Sequence, residues 1–191
     1  MRATVILRIV LQRGQRTTCE GHDSVKKYMP TIPEQTVILL SGIPATGKSE
    51  YARYLAREHR FAHYDLECYP RGWPNPELKQ TWDTDRRAFV SQLREHHGRI
   101  ALDWGFPARC LPLVVELQES GVKLVWFDGD ITRARESFVQ RGGIVVERFD
   151  DQAAGIRAAN FPASLNCVIV ARLSSTGVFL DDRQVTRVIF G

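Results

Sequence analysis

The sequence predicts an α/β fold in which helices cover both faces of a mostly parallel, five-stranded sheet. Two observations support this prediction. Along residues 36–191, short runs of β-branched and apolar residues alternate with longer segments of helical periodicity, which is typical of parallel strands joined by helical crossovers. The first such run is also followed at once by a glycine-rich segment and a helix. A length of 191 residues suits one domain with a substantial core.

The glycine-rich segment is Gly42-Ile43-Pro44-Ala45-Thr46-Gly47-Lys48-Ser49, which fits the phosphate-binding P-loop pattern G-x-x-x-x-G-K-[ST]. A strand over residues 36–40 precedes it and a helix over residues 48–60 follows it, as the motif requires. The glycines let the backbone turn against an anion, and the loop N–H groups would face the phosphates of ATP. We expect Lys48 to reach the β- and γ-phosphates and Ser49 to bind Mg²⁺. The chain is therefore predicted to be a P-loop NTPase three-layer sandwich.

Composition and charge argue against several other classes of protein. The chain is 43% apolar and 25% charged, which is ordinary for a globular protein. A formal charge of +4 suits anionic ligands and does not by itself indicate nucleic acid. The four scattered cysteines form no C-x-x-C motif and predict reduced thiols in a cytoplasmic protein. No apolar run reaches the roughly 18 residues that span a bilayer, so we expect no membrane partner.

Residues 1–35 are predicted to be an N-terminal extension or tail, and residues 36–191 a P-loop kinase-like domain. Residues 4–11 could form a short strand. Residues 12–35 are polar, contain two glycines and two prolines, and predict a loop or tail. Two interpretations fit: a true appendage, or a start assigned upstream of Met29.

The remaining elements are predicted in order from periodicity and from glycine and proline positions. Strands are expected over residues 61–65, 99–103, 122–127 and 167–170, with a short extended segment at 178–180. Helices are expected over residues 77–97, 107–120, 131–140 and 147–160. Residues 182–189 fit either a helix or a strand. Residues 69–76 contain three prolines and a glycine and predict irregular structure. The helix at 77–97 is expected to bury four apolar side chains: Leu78, Trp82, Phe89 and Leu93.

Acidic residues end three of the predicted strands: Asp65, Asp103 and Asp128. Because the carboxyl ends of parallel strands meet at one edge, these acids should converge on the P-loop. Asp103 follows an apolar run, as a Walker B acid does, so we expect it near Ser49 and the Mg²⁺ shell. Asp65 ends a strand predicted to neighbour the P-loop, so we expect it to be the base for an acceptor hydroxyl, with Glu67 as a weaker alternative. Each acid could instead cap the next turn or helix.

Arginines follow the third and fourth strands. Arg109 comes six residues after Asp103, and Arg133, Arg135 and Arg141 lie on the helix that leads into two glycines. Arginine can bind phosphate oxygens bidentately, so this helix is predicted to be a lid over the triphosphate. In this hypothesis Arg109 and Arg141 are catalytic and Arg135 binds the nucleotide. The alternative is a solvated face whose arginines pair with nearby acids: Asp130, Glu136 and Glu147.

Two loop tryptophans, Trp73 and Trp104, lie at the same predicted edge of the sheet. They could stack on a base, a sugar or another ring, or could simply pack. Trp82 and Trp126 are expected in the core.

The segment Leu102-Asp103-Trp104-Gly105-Phe106 with Arg109, the P-loop and the arginine-rich helix together resemble a known group of enzymes. The chain is similar to the small P-loop kinases grouped as predicted AAA-type ATP-binding kinases, relatives of polynucleotide kinase, gluconate kinase and zeta-toxin-like phosphotransferases. The resemblance covers about residues 36–171 and implies ATP-dependent phosphoryl transfer. In this chain Arg135 and Arg141 are more widely spaced than the compact Arg-x-x-x-Arg expected of the group.

Three functions fit these motifs. The sequence favours a kinase that moves the γ-phosphate of ATP to a hydroxyl, with Mg²⁺, on a small molecule or a nucleic-acid 5′-end. The alternatives are a P-loop ATPase acting as a switch or motor, and a nucleotide-binding regulatory protein without a phosphoryl acceptor. The chain contains neither an Asn/Thr-Lys-x-Asp guanine motif nor a Leu-Ser-Gly-Gly-Gln transporter signature. Possible acceptors are a sugar, a nucleoside, an antibiotic hydroxyl or a nucleic-acid 5′-end, and the sequence carries no signal for oligomeric state.

Overall fold

A computed structural model of the chain describes residues 30–67, 76–142 and 145–191. These residues form a five-stranded sheet of order β2-β3-β1-β4-β5, in which every strand pairing is parallel. The strands are β1 (Thr36–Gly42), β2 (Ala62–Asp65), β3 (Arg99–Asp103), β4 (Lys123–Gly129) and β5 (Val168–Leu173). The predicted α/β fold with a parallel five-stranded sheet is therefore confirmed. The possible strand at residues 4–11 lies outside the described residues, as do the predicted irregular residues 69–76 except Pro76, which begins a helix.

The helices are α1 (Lys48–His59), α2 (Pro76–Thr84), α3 (Arg86–His96), α4 (Leu111–Glu119), α5 (Ile131–Arg141), α6 (Glu147–Ala158) and α7 (Asp182–Phe190). The prediction of one helix over residues 77–97 is wrong. Asp85 has extended backbone and its carboxylate accepts the N–H groups of Arg87 and Ala88, so it ends α2 and caps α3. The predicted helix at 107–120 begins as a 3-10 turn at Ala108–Cys110. Residues 182–189 are helical rather than extended.

Alternate residues of β1 point into two separate cores, as a strand buried on both faces requires. Val37 and Leu39 pack with α2, α3 and α4, whereas Ile38 and Leu40 pack with α1 and α7. A third, smaller cluster joins α5 and α6 to the P-loop through Ile43. These three clusters give the layered arrangement expected from the sequence and fix α1, α5 and α6 around the carboxyl edge of the sheet.

The strand that ends in Asp65 does not neighbour the P-loop strand, which corrects the prediction. β3 lies between β1 and β2, with Leu40 opposite Asp103 and Asp103 opposite Asp65. The physical reason is burial: residues 100–103 of β3 are fully buried, whereas β2 is short and only half-buried, which suits the sheet edge.

Residues 30–35 pack against the sheet domain. Ile32 is 5% exposed and lies in the core formed with α1 and α7. The Arg99 guanidinium donates hydrogen bonds to the carbonyls of Ile32, at 2.7 Å, and Pro33, at 3.3 Å. Packing therefore begins before residue 36, and the division of the chain at residue 35 stays a prediction.

Candidate active site

The loop between β1 and α1 is folded tightly against β4. Gly42 has a φ of +129°, and a Cβ there would lie 2.1 Å from the Phe127 carbonyl oxygen. The Ile43 N–H donates to the same carbonyl at 3.0 Å. Gly47 has a φ of +85° and leads directly into α1. Both glycines are therefore required by backbone conformation, and Gly42 also by the close approach of β4.

Lys48 is only 8% exposed, although it carries a charge. Its Nζ donates to the Ile43 carbonyl at 2.9 Å and to the Gly42 carbonyl at 3.4 Å. Burial lowers the pKa of Lys48, while the charges of Asp103 and Glu67 raise it and that of Arg141 lowers it. The lysine thus lies among two carboxylates and a second cation at the head of the P-loop helix.

A cleft of about 420 Å³ opens beside Lys48, a volume typical of small-molecule sites. The P-loop and the start of α1 form one wall, and α5 and α6 form the other. From the P-loop side it is lined by Pro44, Ala45, Gly47, Lys48, Ser49, Glu50 and Arg53. The other lining residues are Glu67, Ser137, Phe138, Arg141, Arg148, Gln152 and Phe179. The cleft therefore combines four cationic side chains, two carboxylates and two aromatic rings.

Asp103 is 2% exposed and ends β3, next to the P-loop strand. Its Oδ2 atom lies 3.7 Å from His63 Nε2, within ion-pair distance but too far for a hydrogen bond, and both atoms are buried without a hydrogen-bond partner among the described residues. A buried carboxylate oxygen without a donor is costly unless a cation compensates it. Asp103 and Ser49 thus fit a Mg²⁺ shell, since Mg²⁺ usually takes one or two carboxylates, substrate phosphates and waters.

No group of three or more His, Cys, Asp or Glu side chains in the described part of the chain could hold a metal ion by itself. A Mg²⁺ site here would therefore be completed by the nucleotide, as Mg²⁺ sites in phosphoryl-transfer enzymes commonly are.

Glu67, and not the expected Asp65, lies at the cleft. Asp65 is exposed, and its Oδ1 accepts the Glu67 N–H at 2.9 Å, which is the turn-capping role weighed as its alternative. Among the described residues that line the cleft, Glu67 is present and Asp65 is absent. The structure therefore brings the weaker sequence candidate, and not the preferred one, to the site. Asp103 and Asp128, also expected to converge there, are not among the lining residues either.

The predicted arginines divide into two groups. Arg141 lines the cleft, with its guanidinium 5.3 Å from the centre of the Phe138 ring. Arg135 faces α6 and binds both oxygens of Asp150, at 2.8 and 3.0 Å, which raises the pKa of Arg135 and lowers that of Asp150. Arg109 is exposed on the 3-10 turn and does not reach the lining of the cleft as described. The structure therefore brings one of the three proposed arginines to the site.

Sequence reasoning missed seven lining residues: Glu50, Arg53, Ser137, Phe138, Arg148, Gln152 and Phe179. Arg148 and Gln152 lie one turn apart on α6, and that spacing is the signal that could have found them. Phe179 follows β5 in a short segment with no motif. Trp104, which could have stacked on a ligand, instead packs against Trp82 and Phe106, with centroids 5.3 and 5.7 Å away. Trp73 lies outside the described residues.

Comparison with known proteins supports the fold. No protein-family model and no curated protein matches the chain. An unliganded sugar kinase from Janibacter sp. HTCC2649 aligns with a TM-score of 0.54 and 14% identity, over 80% of this chain and 91% of that one. The YorR protein of Bacillus subtilis, in complex with phosphorylated GDP, aligns with a TM-score of 0.50 and 17% identity, over 80% and 92%. A gluconokinase from Sinorhizobium meliloti 1021 gives 0.49 and 15%, over 83% and 91%. The chain shares the fold of the sugar kinase and of the YorR protein.

No helix in the described ranges is long and apolar enough to cross a lipid bilayer.

Proposed function

We propose that this protein is an ATP-dependent phosphotransferase that moves the γ-phosphate of ATP to a hydroxyl of an acceptor. The observation that carries the proposal is the arrangement at the head of α1: the charges of Asp103, Glu67 and Arg141 act on the buried P-loop lysine, and Glu67 and Arg141 line the cleft beside it. A P-loop binds phosphate in many proteins, but the cleft beyond it, with both an acid and added cations, suits a second substrate.

The nucleotide would lie along the P-loop. The loop N–H groups and Lys48 would hold the β- and γ-phosphates, since a helix N-terminus favours anions. Mg²⁺, held by Ser49 and Asp103, would neutralise negative charge on the phosphate oxygens. Phe179 stands beside Gly47 and is 40% exposed, so its ring is available for the base of the nucleotide.

Transfer itself needs alignment and charge stabilisation more than covalent chemistry. The acceptor oxygen would attack the γ-phosphorus in line, the bond to the β-phosphate oxygen would break, and ADP would leave. Lys48 would stabilise the negative charge on the phosphate oxygens in both the ground state and the transition state. Arg141, on the opposite wall, would neutralise the charge on the equatorial oxygens. Arg148, on the same wall, would add a further cation, whereas Arg135 and Arg109 would need to move to contribute.

The acceptor class is a hydroxyl compound, either a small molecule or a nucleic-acid 5′-end. Two likenesses make small molecules the first to test. One similar structure is a sugar kinase and another holds phosphorylated GDP. A cleft of about 420 Å³ is also in the range of small-molecule sites.

The test is an acceptor screen with purified protein and γ-labelled ATP. The panel contains sugars, sugar acids, nucleosides and an oligonucleotide with a free 5′-hydroxyl. We expect the labelled phosphate to appear in one acceptor class and the release of ADP to depend on that acceptor. ADP release that no acceptor stimulates would instead favour an ATPase. Tight ATP binding without release of ADP would favour a regulatory nucleotide-binding protein.

A further inference from the structure

The carboxylate of Glu67 is held in place by the backbone of the loop that follows β3. One oxygen, Oε1, accepts the N–H of Gly105, and Gly105 in turn offers its carbonyl to Gln152 Nε2 at 3.0 Å. Three separate segments therefore meet at Gly105: the turn after β2, the loop after β3, and α6. A carboxylate fixed in this way loses less side-chain freedom when it acts on a substrate.

The second oxygen of Glu67 is left available to the cleft. It accepts no hydrogen bond from any described residue, and the Glu67 side chain lines the cleft together with Lys48 and Arg141. The negative charge of Glu67 also raises the pKa of Lys48. Glu67 is therefore placed within electrostatic range of the cation that would bind the γ-phosphate, which is where an acceptor hydroxyl must come.

Gly105 cannot be replaced without disturbing this contact. A Cβ on Gly105 would lie 2.5 Å from Glu67 Oε1 and 3.0 Å from Gln152 Nε2. The nearest atoms are ends of side chains, so a methyl group would displace the carboxylate rather than break the sheet. Gly105 thus allows the close approach of Glu67 to the loop backbone.

We propose that Glu67, and not Asp65, is the base that takes the proton of the acceptor hydroxyl, and that Gly105 and Gln152 are its positioning residues. This rests on the proposed phosphotransferase function. In the step, the acceptor O–H proton moves to the free oxygen of Glu67, the acceptor oxygen bonds to the γ-phosphorus, and the bond to the β-phosphate oxygen breaks. ADP leaves with that electron pair, and Glu67 then returns its proton to water.

The direct test compares Glu67→Gln with Asp65→Asn. Glutamine can still accept the Gly105 N–H, and asparagine can still accept the Glu67 N–H, so each change removes one charge and keeps one contact. The acceptor is the best compound from the screen of hydroxyl compounds, or water if none is phosphorylated. We expect Glu67→Gln to slow single-turnover transfer by roughly 10²–10⁴-fold, with the ATP dissociation constant unchanged within about three-fold. Asp65→Asn should lose no more than about three-fold.

The opposite ranking of the two variants, or transfer by Glu67→Gln within a few-fold of wild type, would overturn the assignment and leave the phosphotransferase function intact. A wild-type protein that neither binds nor turns over ATP would instead overturn the proposed function, and the assignment of Glu67 with it. Circular dichroism on each variant separates loss of chemistry from loss of fold.

The positioning role is tested with Gly105→Ala, against Gly155→Ala as the matched control. Gly155 lies within α6 and nothing lies within 4 Å of a Cβ placed there, so its substitution should leave transfer unchanged. Gly105→Ala should slow transfer at least ten-fold with unchanged ATP affinity. If Gly105 acts through Glu67, its substitution should slow the Glu67→Gln variant little further. Full additivity of the two effects would contradict the positioning role.

Discussion

Lys48 is the residue on which nucleotide binding depends most. Its Nζ is bonded to two carbonyls of its own loop, and it is almost fully buried. Burial removes the ammonium from water and lowers the pKa of Lys48, and the charges of Asp103 and Glu67 offset this only in part. Phosphate oxygens would supply the missing charge.

Lys48→Ala should therefore raise the dissociation constant for ATP by at least about 100-fold, since hydrogen bonds to charged groups are among the strongest in proteins. Adenosine, which lacks phosphates, should bind equally to both proteins. Calorimetric titration of each ligand measures this, with circular dichroism to check the fold. ATP affinity within a few-fold of wild type would remove Lys48 from the phosphate site.

Asp103 should act through the metal. Its buried Oδ2 has no hydrogen-bond partner among the described residues, which makes Asp103 the strongest candidate for the Mg²⁺ shell. Asp103→Asn should raise the Mg²⁺ concentration for half-maximal ATP binding by roughly ten-fold, with partial rescue by Mn²⁺. Titration of Mg²⁺ and Mn²⁺ at fixed ATP, followed by fluorescence of a labelled nucleotide, reports this. An unchanged Mg²⁺ dependence would place the metal elsewhere.

At the scale of elements, the segment between β5 and α7 is clamped over the P-loop. Arg172, 4% exposed, donates to the Leu180 carbonyl and binds Asp182 at 2.7 Å, and its guanidinium lies 5.8 Å from the Phe179 ring. Asp181 also caps α7 with a reciprocal capping box. These contacts hold Phe179 next to Gly47, within van der Waals reach of a Cβ placed there.

Phe179→Ala should weaken ATP binding by roughly ten-fold, because stacking of a base on an aromatic ring contributes about 1–3 kcal/mol. Inorganic tripolyphosphate, which has no base, should bind the variant and the wild type alike. Val178→Ala is the control, since Val178 is exposed and lies outside the lining of the cleft. Equal losses for ATP and tripolyphosphate would show that Phe179 supports the P-loop instead of the base.

The elements with strong local signals could be predicted from the sequence. β1, the P-loop and α1 carry a motif whose glycines indicate the backbone conformation of the loop. β3 has the bounds expected from its apolar run. The break between α2 and α3 at Asp85 could not be found from periodicity, because the apolar residues continue at helical spacing across it. The capping signal comes from Asp85 alone, so it competes with that spacing at one position only. The position of β2 at the sheet edge depends on pairing between distant segments, which local pattern does not encode.

The residues of the candidate site could likewise be predicted only where a local sequence signal places them. Lys48, Ser49 and Arg141 reach the cleft because they lie on elements whose direction the sequence indicates. Glu67 and Phe179 reach it through turn geometry and a tertiary clamp, neither of which has a sequence pattern. Arg135 fits a phosphate ligand equally well by residue type, but a bidentate contact with Asp150 holds it against α6.

At the scale of the whole molecule, the packed unit extends to residues 30–35. Burial of Ile32 should contribute about 1.5–3 kcal/mol, since that is the usual effect of burying such a side chain. A chain that begins at Met29 should keep its melting temperature within a few degrees, whereas one that begins at Thr36 should melt roughly 4–10 °C lower. Differential scanning calorimetry distinguishes the two. A large loss for the chain beginning at Met29 would show that residues 1–28 stabilise the domain.

In the proposed reaction, the cleft beside the P-loop transfers the γ-phosphate of ATP to a hydroxyl. The most direct measurement follows the label from γ-labelled ATP through one turnover, with wild-type protein and Lys48→Ala side by side, in the presence of the acceptor panel. We expect a labelled phosphate ester with wild-type protein, one ADP per ester formed, and no ester with Lys48→Ala. Label that appears only as inorganic phosphate whatever acceptor is present, or ester formation that survives Lys48→Ala, would contradict it.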